Sequence, residues 1–211
     1  MISLYIHIPF CQRKCFYCSF VVAIGQEGRI DSYLECLAQE AQHYQGTPLR
    51  TIYVGGGTPT HMNPKELQKL FWILRENFQF SSDCELTLEA NPEGLELDKA
   101  KLLRDSGVNR VSLGVQSLND HYLRYLGRAH DARQAIIAFE NLRKAGFANL
   151  NLDLMYSFPG QTFEEIKNDV KAITALKSEH LSLYTLTVEE NSRFYARHLK
   201  LDEEGIQAQQ Y

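Results

Sequence analysis

The sequence has no excess of basic residues: among 211 residues, 22 Lys and Arg face 26 Asp and Glu, a formal charge of −4. A nucleic-acid surface needs a basic face, so this balance argues against DNA or RNA as the partner. No apolar run approaches the length that spans a bilayer. The N-terminus lacks the basic segment of a secretory leader, and His7 and Pro9 interrupt its apolar stretch. The cytoplasm is therefore the expected location. No linker, low-complexity tract or internal repeat divides the chain, which leaves one main domain as the expectation. Cysteine is also scarce, with only five residues, and two of them, Cys36 and Cys84, stand alone and read as ordinary small apolar residues.

What is present is an alternation of short β-rich runs with longer stretches of helical period. The runs 3–9, 51–55, 85–90, 110–116, 149–155 and 180–188 are rich in Ile, Val, Leu, Tyr and Thr. They read as strands covered on both faces. Between them, Ile30, Tyr33, Leu34, Leu37 and Ala41 form one apolar stripe, with Ser32 and Glu35 as a capping box at its start. Asn63-Pro64 supplies an N-cap and a first-turn proline for Leu67, Leu70, Phe71, Leu74 and Phe78. Ala132, Ala135, Ile136, Phe139 and Leu142 make a third stripe, closed by Gly146, and Thr162 with Glu165 caps a fourth carrying Ile166, Val170 and Ile173. Repetition of β-α predicts an α/β fold with a parallel sheet and outer helices; a barrel and a doubly wound sheet both satisfy it. Residues 201–211 begin a helix-like stretch that stops mid-pattern, so the expectation is a core domain over 1–200 and the start of a further C-terminal domain at 201–211.

The remaining three cysteines fall within one loop, Cys11-Gln-Arg-Lys-Cys15-Phe-Tyr-Cys18. In a reducing compartment such clustering points to metal ligation and not to disulfides. Three thiolates at this spacing can hold three corners of an iron–sulfur cubane and leave one iron open. A zinc site completed by a distant ligand, with His7 or Cys36 as candidates, is the alternative. Phe16, Tyr17 and Phe20 would wall such a loop from water. The second strand ends in Gly55-Gly56-Gly57-Thr58-Pro59-Thr60. Glycines there let backbone approach a ligand closely, although a tight turn alone would also use them.

Together these residues resemble the radical S-adenosylmethionine (SAM) superfamily, and within it the oxygen-independent coproporphyrinogen III oxidase group. Tyr5-Ile-His-Ile-Pro-Phe-Cys11, Glu89-Ala-Asn-Pro92, Gly114-Val-Gln-Ser117, Leu126-Gly-Arg-Ala-His130 and Asp153-Leu-Met-Tyr156 with Pro159-Gly-Gln-Thr162 carry the resemblance in order over essentially the whole chain. It implies a partial, six-unit β/α barrel of TIM type, with its motifs at the C-terminal ends of the strands, where such barrels place their ligands. It also implies a [4Fe–4S] cluster on Cys11, Cys15 and Cys18, with SAM chelating the open iron and cleaved there to a 5′-deoxyadenosyl radical by one electron. By position, Tyr5, Gly56 and Glu89 would surround that SAM. Tyr17, Gly57, Thr58, Gln116, Arg128 and Asp153 would form a second SAM-like site. Taken singly, Arg128, Gln116 and Asp153 also suit structural roles, as do His7 and His130.

Two functions follow from the resemblance. One is oxidative decarboxylation of coproporphyrinogen III propionates. The other is a heme chaperone that retains the cluster and SAM site. Phe20 favours the chaperone, because the oxidases resemble Cys-x-x-x-Cys-x-x-Cys-x-Cys, with a fourth cysteine at that position. The chain's start ten residues before Cys11 also favours it, since the oxidases carry an N-terminal extension. Ser19 and Ser157 depart from the chaperone pattern, which has Asp and Gly there. The implied partners are heme or a porphyrinogen, a flavodoxin- or ferredoxin-type reductant and a heme acceptor, with a peripheral membrane contact of the longer protein. The group's heme-related C-terminal motif would fall beyond Tyr211. A tRNA-modifying radical SAM enzyme is the further alternative, disfavoured by the acidic charge.

Overall fold

The computed structural model describes residues 2–201. Its chain order is β1 (Ile2–Ile8), β2 (Phe10–Cys11), β3 (Ala23–Ile24), α1 (Ile30–Gln42), β4 (Thr47–Gly56), α2 (Pro64–Asn77), β5 (Phe78–Ala90), α3 (Leu97–Asp105), β6 (Arg110–Gln116), α4 (Asp120–Leu126), α5 (Ala132–Lys144), β7 (Leu150–Tyr156), α6 (Phe163–Ala175), β8 (His180–Thr185) and α7 (Arg193–Ala196). Six strands form one sheet in the order β1-β4-β5-β6-β7-β8, and every neighbouring pair is parallel. A doubly wound sheet reverses its strand order at a switch point. This one never reverses, so the barrel-type expectation holds and the doubly wound one does not. The β1 and β8 edges are unpaired with each other, and the barrel is open there. The two-residue strands β2 and β3 form a separate small pair around the cysteine loop, which sequence periodicity does not announce.

The central strands β6 and β7 are buried on both faces, as expected, whereas the edge strands β1 and β8 are not. Ile6 and Ile8, Ile52 and Val54, Leu86 and Leu88, Val111 and Leu113, and Leu150 and Leu152 form one buried apolar face. It packs against Leu34 of α1, Leu67, Leu70 and Leu74 of α2, Leu103 of α3, and Phe139 and Leu142 of α5 in a single core. Fully burying each such side chain contributes roughly 1.5–3 kcal/mol before entropy is counted. The opposite face is polar from edge to edge. Parallel register places Tyr5 beside Tyr53, Thr87 and Arg110, and Glu89 beside Ser112, Asn151 and His180. The interior of this partial barrel is therefore hydrophilic, unlike the branched aliphatic layers that fill closed β/α barrels.

Helix ends follow local chemistry. Asn63 accepts from the Lys65 and Glu66 amides in a full capping box, and Thr162 with Glu165 and Asp131 with Gln134 do the same. Ser32 is not a cap: α1 starts two residues earlier, after a 3-10 turn over Glu27–Arg29, and Ser32 Oγ donates back to the Arg29 carbonyl. Phe78 ends the α2 stripe by opening β5. Cys36 is exposed on α1, whereas Cys84 packs against the core. Leu201 packs with Leu199 against a second apolar cluster built on Tyr122, Leu126, Met155 and Phe158; the expected domain start at 202–211 lies outside the described residues.

Ser157, where glycine was expected, has φ +62 just past β7, and its buried hydroxyl has no partner. Both features penalise serine: left-handed backbone costs an L-residue about 1 kcal/mol, and an unsatisfied buried hydroxyl about 1–3. Ser157→Gly should stabilise the fold by roughly 1–2 kcal/mol in urea denaturation. A destabilised variant would mean that the hydroxyl has a partner after all.

Candidate functional site

The strand ends converge on one cavity of about 420 Å³, within the range of small-molecule sites. Cys11, Cys15 and Cys18 line it together with Tyr17, Gly56, Gly57, Thr58, Glu89, Gln116, Arg128 and Asp153. Every residue expected at the site is therefore there except Tyr5. That side chain lies one step away, stacked on Tyr53 with ring centroids 6.1 Å apart and its hydroxyl 3.1 Å from His7 Nδ1. Tyr53 in turn donates to Glu89 Oε1 at 2.6 Å. The zinc alternatives fare worse, since neither His7 nor Cys36 lines the cavity. Among the described residues, no three His, Cys, Asp or Glu side chains converge as ligands of one metal ion, Cys11, Cys15 and Cys18 included, so this finding does not choose between zinc and a cluster.

The cysteine loop is held at Phe16. Its amide donates to the Leu126 carbonyl and its carbonyl accepts from the Phe194 amide, each at 2.9 Å. Its ring meets Phe194 edge-on, lies 4.3 Å from the Arg193 guanidinium, and would be 2.8 Å from a Cβ on Gly127. Phe16 is thus an anchor and not a cavity wall; Tyr17 and Phe20 do line the cavity. The glycine run has a further reason besides the expected one, since Gly56 and Gly57 do line the cavity. A Cβ on Gly55 would strike Glu89 at 2.8 Å, one on Gly56 His7 Nδ1 at 2.5 Å, and one on Gly57 the Ile8 and Phe10 carbonyls at 2.8 Å. The protein itself fills the space that the missing side chains leave.

Charge in the cavity is arranged around Arg128, which is buried. Its Nη1 lies 3.5 Å from both Cys15 Sγ and the Tyr17 hydroxyl, and its Nη2 donates to Asn91 Oδ1 at 2.7 Å and the Gly114 carbonyl at 2.8 Å. Its Nε is buried without a partner. Burial opposes the guanidinium charge, but Tyr17, Cys15 and Glu93 around it outweigh that and raise its pKa. Burial pushes the Cys11 and Cys18 thiols up, and the neighbouring cysteines add to the shift. Burial likewise raises Asp153, against the hydrogen bonds it accepts from Asn151, Ser182 and Ser112. Glu89 Oε2 accepts from the Gly56 amide at 3.1 Å. Gln116 ends β6 with φ +67, a left-handed conformation at the cavity wall.

This donor set suits a cluster and an amino-acid-bearing nucleoside. Three soft sulfurs come from one loop, and metal ligation would overturn the burial that keeps the thiols protonated. The free Arg128 Nε offers a donor to a carboxylate, and Glu89 and Asp153 offer acceptors to amines or hydroxyls. A bound cluster with SAM supplies one-electron cleavage of the sulfonium. Missing from the sequence expectations were Asn91, Glu93 and Tyr53. Asn91 sits inside the Glu89-Ala-Asn-Pro92 motif, so a signal for it existed.

The family of this fold and site can now be given: the chain belongs to the radical SAM superfamily, whose model matches residues 5–173. Membership implies a [4Fe–4S] cluster and SAM. Among curated proteins, it is 41% identical over 99% of its length to the heme chaperone HemW of Lactococcus lactis, and 42% identical over 92% to that of Bacillus subtilis. Among solved structures, coproporphyrinogen III oxidase (HemN) of Escherichia coli, a radical SAM enzyme, superposes with a TM-score of 0.89 at 34% identity, covering 98% of this chain and 49% of that one. The chain spans about half the length of the curated relatives it matches, 56% and 53%. No helix among the described residues is long and apolar enough to cross a membrane.

Proposed function

We propose that the chain is the cluster- and SAM-binding core of a cytoplasmic heme chaperone, which binds heme and passes it to an acceptor protein. The observation that carries this reading is Phe20. It stands 62% exposed at the cavity mouth, where the oxidases place a further cysteine. Identity of 41 and 42% to two heme chaperones supports it. The cavity lining suits a flat apolar ring bearing carboxylates: Phe20, Val22 and Tyr184 present apolar surface, and Arg13 and Lys14 present cations. Cys11, Cys15 and Cys18 hold the cluster in this reading, Tyr5, Gly56 and Glu89 surround its SAM, Arg128 belongs to the second SAM-like site, and a flavodoxin- or ferredoxin-type protein supplies the electron.

The second reading is coproporphyrinogen III oxidase, favoured by the superposition on HemN. One experiment separates the two. The full-length protein is reconstituted anaerobically with iron and sulfide and given reductant, SAM and coproporphyrinogen III; heme is titrated in parallel. The expected result is a heme-induced absorption change with no porphyrinogen product. Decarboxylated porphyrinogen appearing with 5′-deoxyadenosine would establish the oxidase instead.

A further inference from the structure

Two motifs at the rim, Glu89-Ala-Asn-Pro92 and Leu126-Gly-Arg-Ala-His130, contribute more than Glu89 and Arg128. They meet in a buried hydrogen-bond network centred on Asn91. One amide proton of Asn91 goes to Thr58 Oγ1 at 3.1 Å and the other to Glu93 Oε1 at 3.0 Å, while Oδ1 accepts from Arg128 Nη2 at 2.7 Å. Both amide protons and the carbonyl are used, which fixes the orientation of the side chain. Thr58 Oγ1 lies 3.3 Å from Cys11 Sγ, and towards a ligating thiolate, which has no proton to give, the Thr58 hydroxyl is the donor. Arg128 delivers the matching donor to Cys15 Sγ at 3.5 Å. Two of the three cysteine sulfurs thus lie within hydrogen-bond reach of side chains that both bond to one amide.

Behind Asn91 stands a second pair. Glu93 Oε2 lies 3.2 Å from His130 Nδ1, and His130 Nε2 lies 3.1 Å from the Val115 carbonyl. His130 is 5% exposed and its side chain is fully enclosed. Burial works against the Glu93 charge, but the His130 hydrogen bond and the Arg128 charge overcome it and lower its pKa. Space is reserved for the network: a Cβ on Gly114 would sit 3.0 Å from Asn91 Oδ1 and 3.4 Å from Arg128 Nη2. The backbone is tied in as well, with the Asn91 amide donating to Thr60 Oγ1 at 3.3 Å.

We infer that Asn91, held by the Glu93–His130 pair, is a positioning residue that sets the reduction potential of the cluster by aiming Thr58 and Arg128 at the Cys11 and Cys15 sulfurs. Hydrogen bonds and positive charge at cluster sulfurs stabilise the reduced, more negative state and raise the potential. Without Asn91 the Thr58 hydroxyl is free to turn away and Arg128 Nη2 keeps only the Gly114 carbonyl, so both donors are held less firmly on the sulfurs and reduction becomes harder. This inference rests on the reading of the three cysteines as cluster ligands.

The test is an EPR-monitored redox titration of the reconstituted chain without SAM, on the parent, Asn91→Ala and His130→Ala, with iron, sulfide and thermal midpoint measured on each. Asn91→Ala should keep the cluster and shift its reduction equilibrium about tenfold towards the oxidised form, 59 mV for one electron. His130→Ala should shift it less, in the same direction, and His130→Gln, which offers Glu93 a donor, should restore part of the loss. Unchanged potentials in Asn91→Ala and His130→Ala with full clusters would overturn the inference. So would loss of the cluster in Asn91→Ala beside an unshifted His130→Ala, which would make the network purely structural. A parent chain that binds no iron would instead refute the ligand assignment itself.

Discussion

Cys15→Ala leaves the anaerobically reconstituted chain colourless, and no SAM-dependent change appears in an EPR spectrum of the reduced protein. The effect is expected to be all-or-none because the site has no spare sulfur. Cys11, Cys15 and Cys18 are the only cysteines lining the cavity, Cys36 being exposed on α1 and Cys84 packed on the core. Metal–thiolate bonds are a large share of a cluster's binding energy, so losing one of three protein ligands is not offset elsewhere. Alanine also strips the buried Arg128 of the sulfur 3.5 Å from its Nη1, and uncompensated burial of a cation destabilises the fold. Cys15→Ser separates the two effects. Serine keeps an acceptor near Arg128 yet offers a hard oxygen in place of a soft thiolate. It should therefore fold and remain colourless, while Cys36→Ala should bind iron and sulfide like the parent. If Cys15→Ala retained a full complement of iron and sulfide, the loop would not be the ligand set.

Much of this site was legible because its parts are local. The three cysteines, the glycine run and the strand-end position of each motif can all be read from short stretches, and the structure gathers them at one rim. What escaped was periodicity inside the strands. Ile2-Ser-Leu-Tyr-Ile-His-Ile8 alternates strictly, as do Arg110-Val-Ser-Leu-Gly114 and His180-Leu-Ser-Leu-Tyr184. Counting apolar content makes these look apolar on both faces; reading their period of two shows one apolar face and one polar face, the latter also buried in β6. The polar face is what makes a hydrophilic interior available to a ligand. The Asn91 network escaped for another reason: Arg128 is 37 residues away in sequence, so the bond between them is set by the pairing of β5 with β6 and not by any local pattern. The misplaced cap at Ser32 has a third cause. Its hydroxyl bonds backwards to a carbonyl, the competing local use of serine.

Gly56→Ala should be strongly damaging for a change of one methyl group. Gly56 has φ +109, a conformation that side-chain-bearing residues rarely adopt, at a cost of roughly 1–3 kcal/mol. Its new Cβ would also sit 2.5, 2.6 and 2.9 Å from Nδ1, Cε1 and Cγ of His7. Turning the His7 ring away would break its Nδ1 contact with the Tyr5 hydroxyl, 3.1 Å away, and its backbone is held by the Tyr33 hydroxyl on the His7 carbonyl. Moving the β4 terminus instead breaks the Gly56 amide bond to Glu89 Oε2 and disturbs the cavity wall that both residues line. Either response costs several kcal/mol, about 3 or more when strain and clash combine. A double-mutant cycle with His7→Ala divides the two terms. Removing the imidazole relieves the contact but leaves the backbone strain, so Gly56→Ala should cost about 1–3 kcal/mol in the His7→Ala background and clearly more in the parent. Urea denaturation supplies the stabilities, and SAM affinity measured on the reconstituted protein should fall at least tenfold in Gly56→Ala. Equal costs in both backgrounds would show that His7 does not fill the space beside Gly56, and that the glycine is needed for its backbone angle alone.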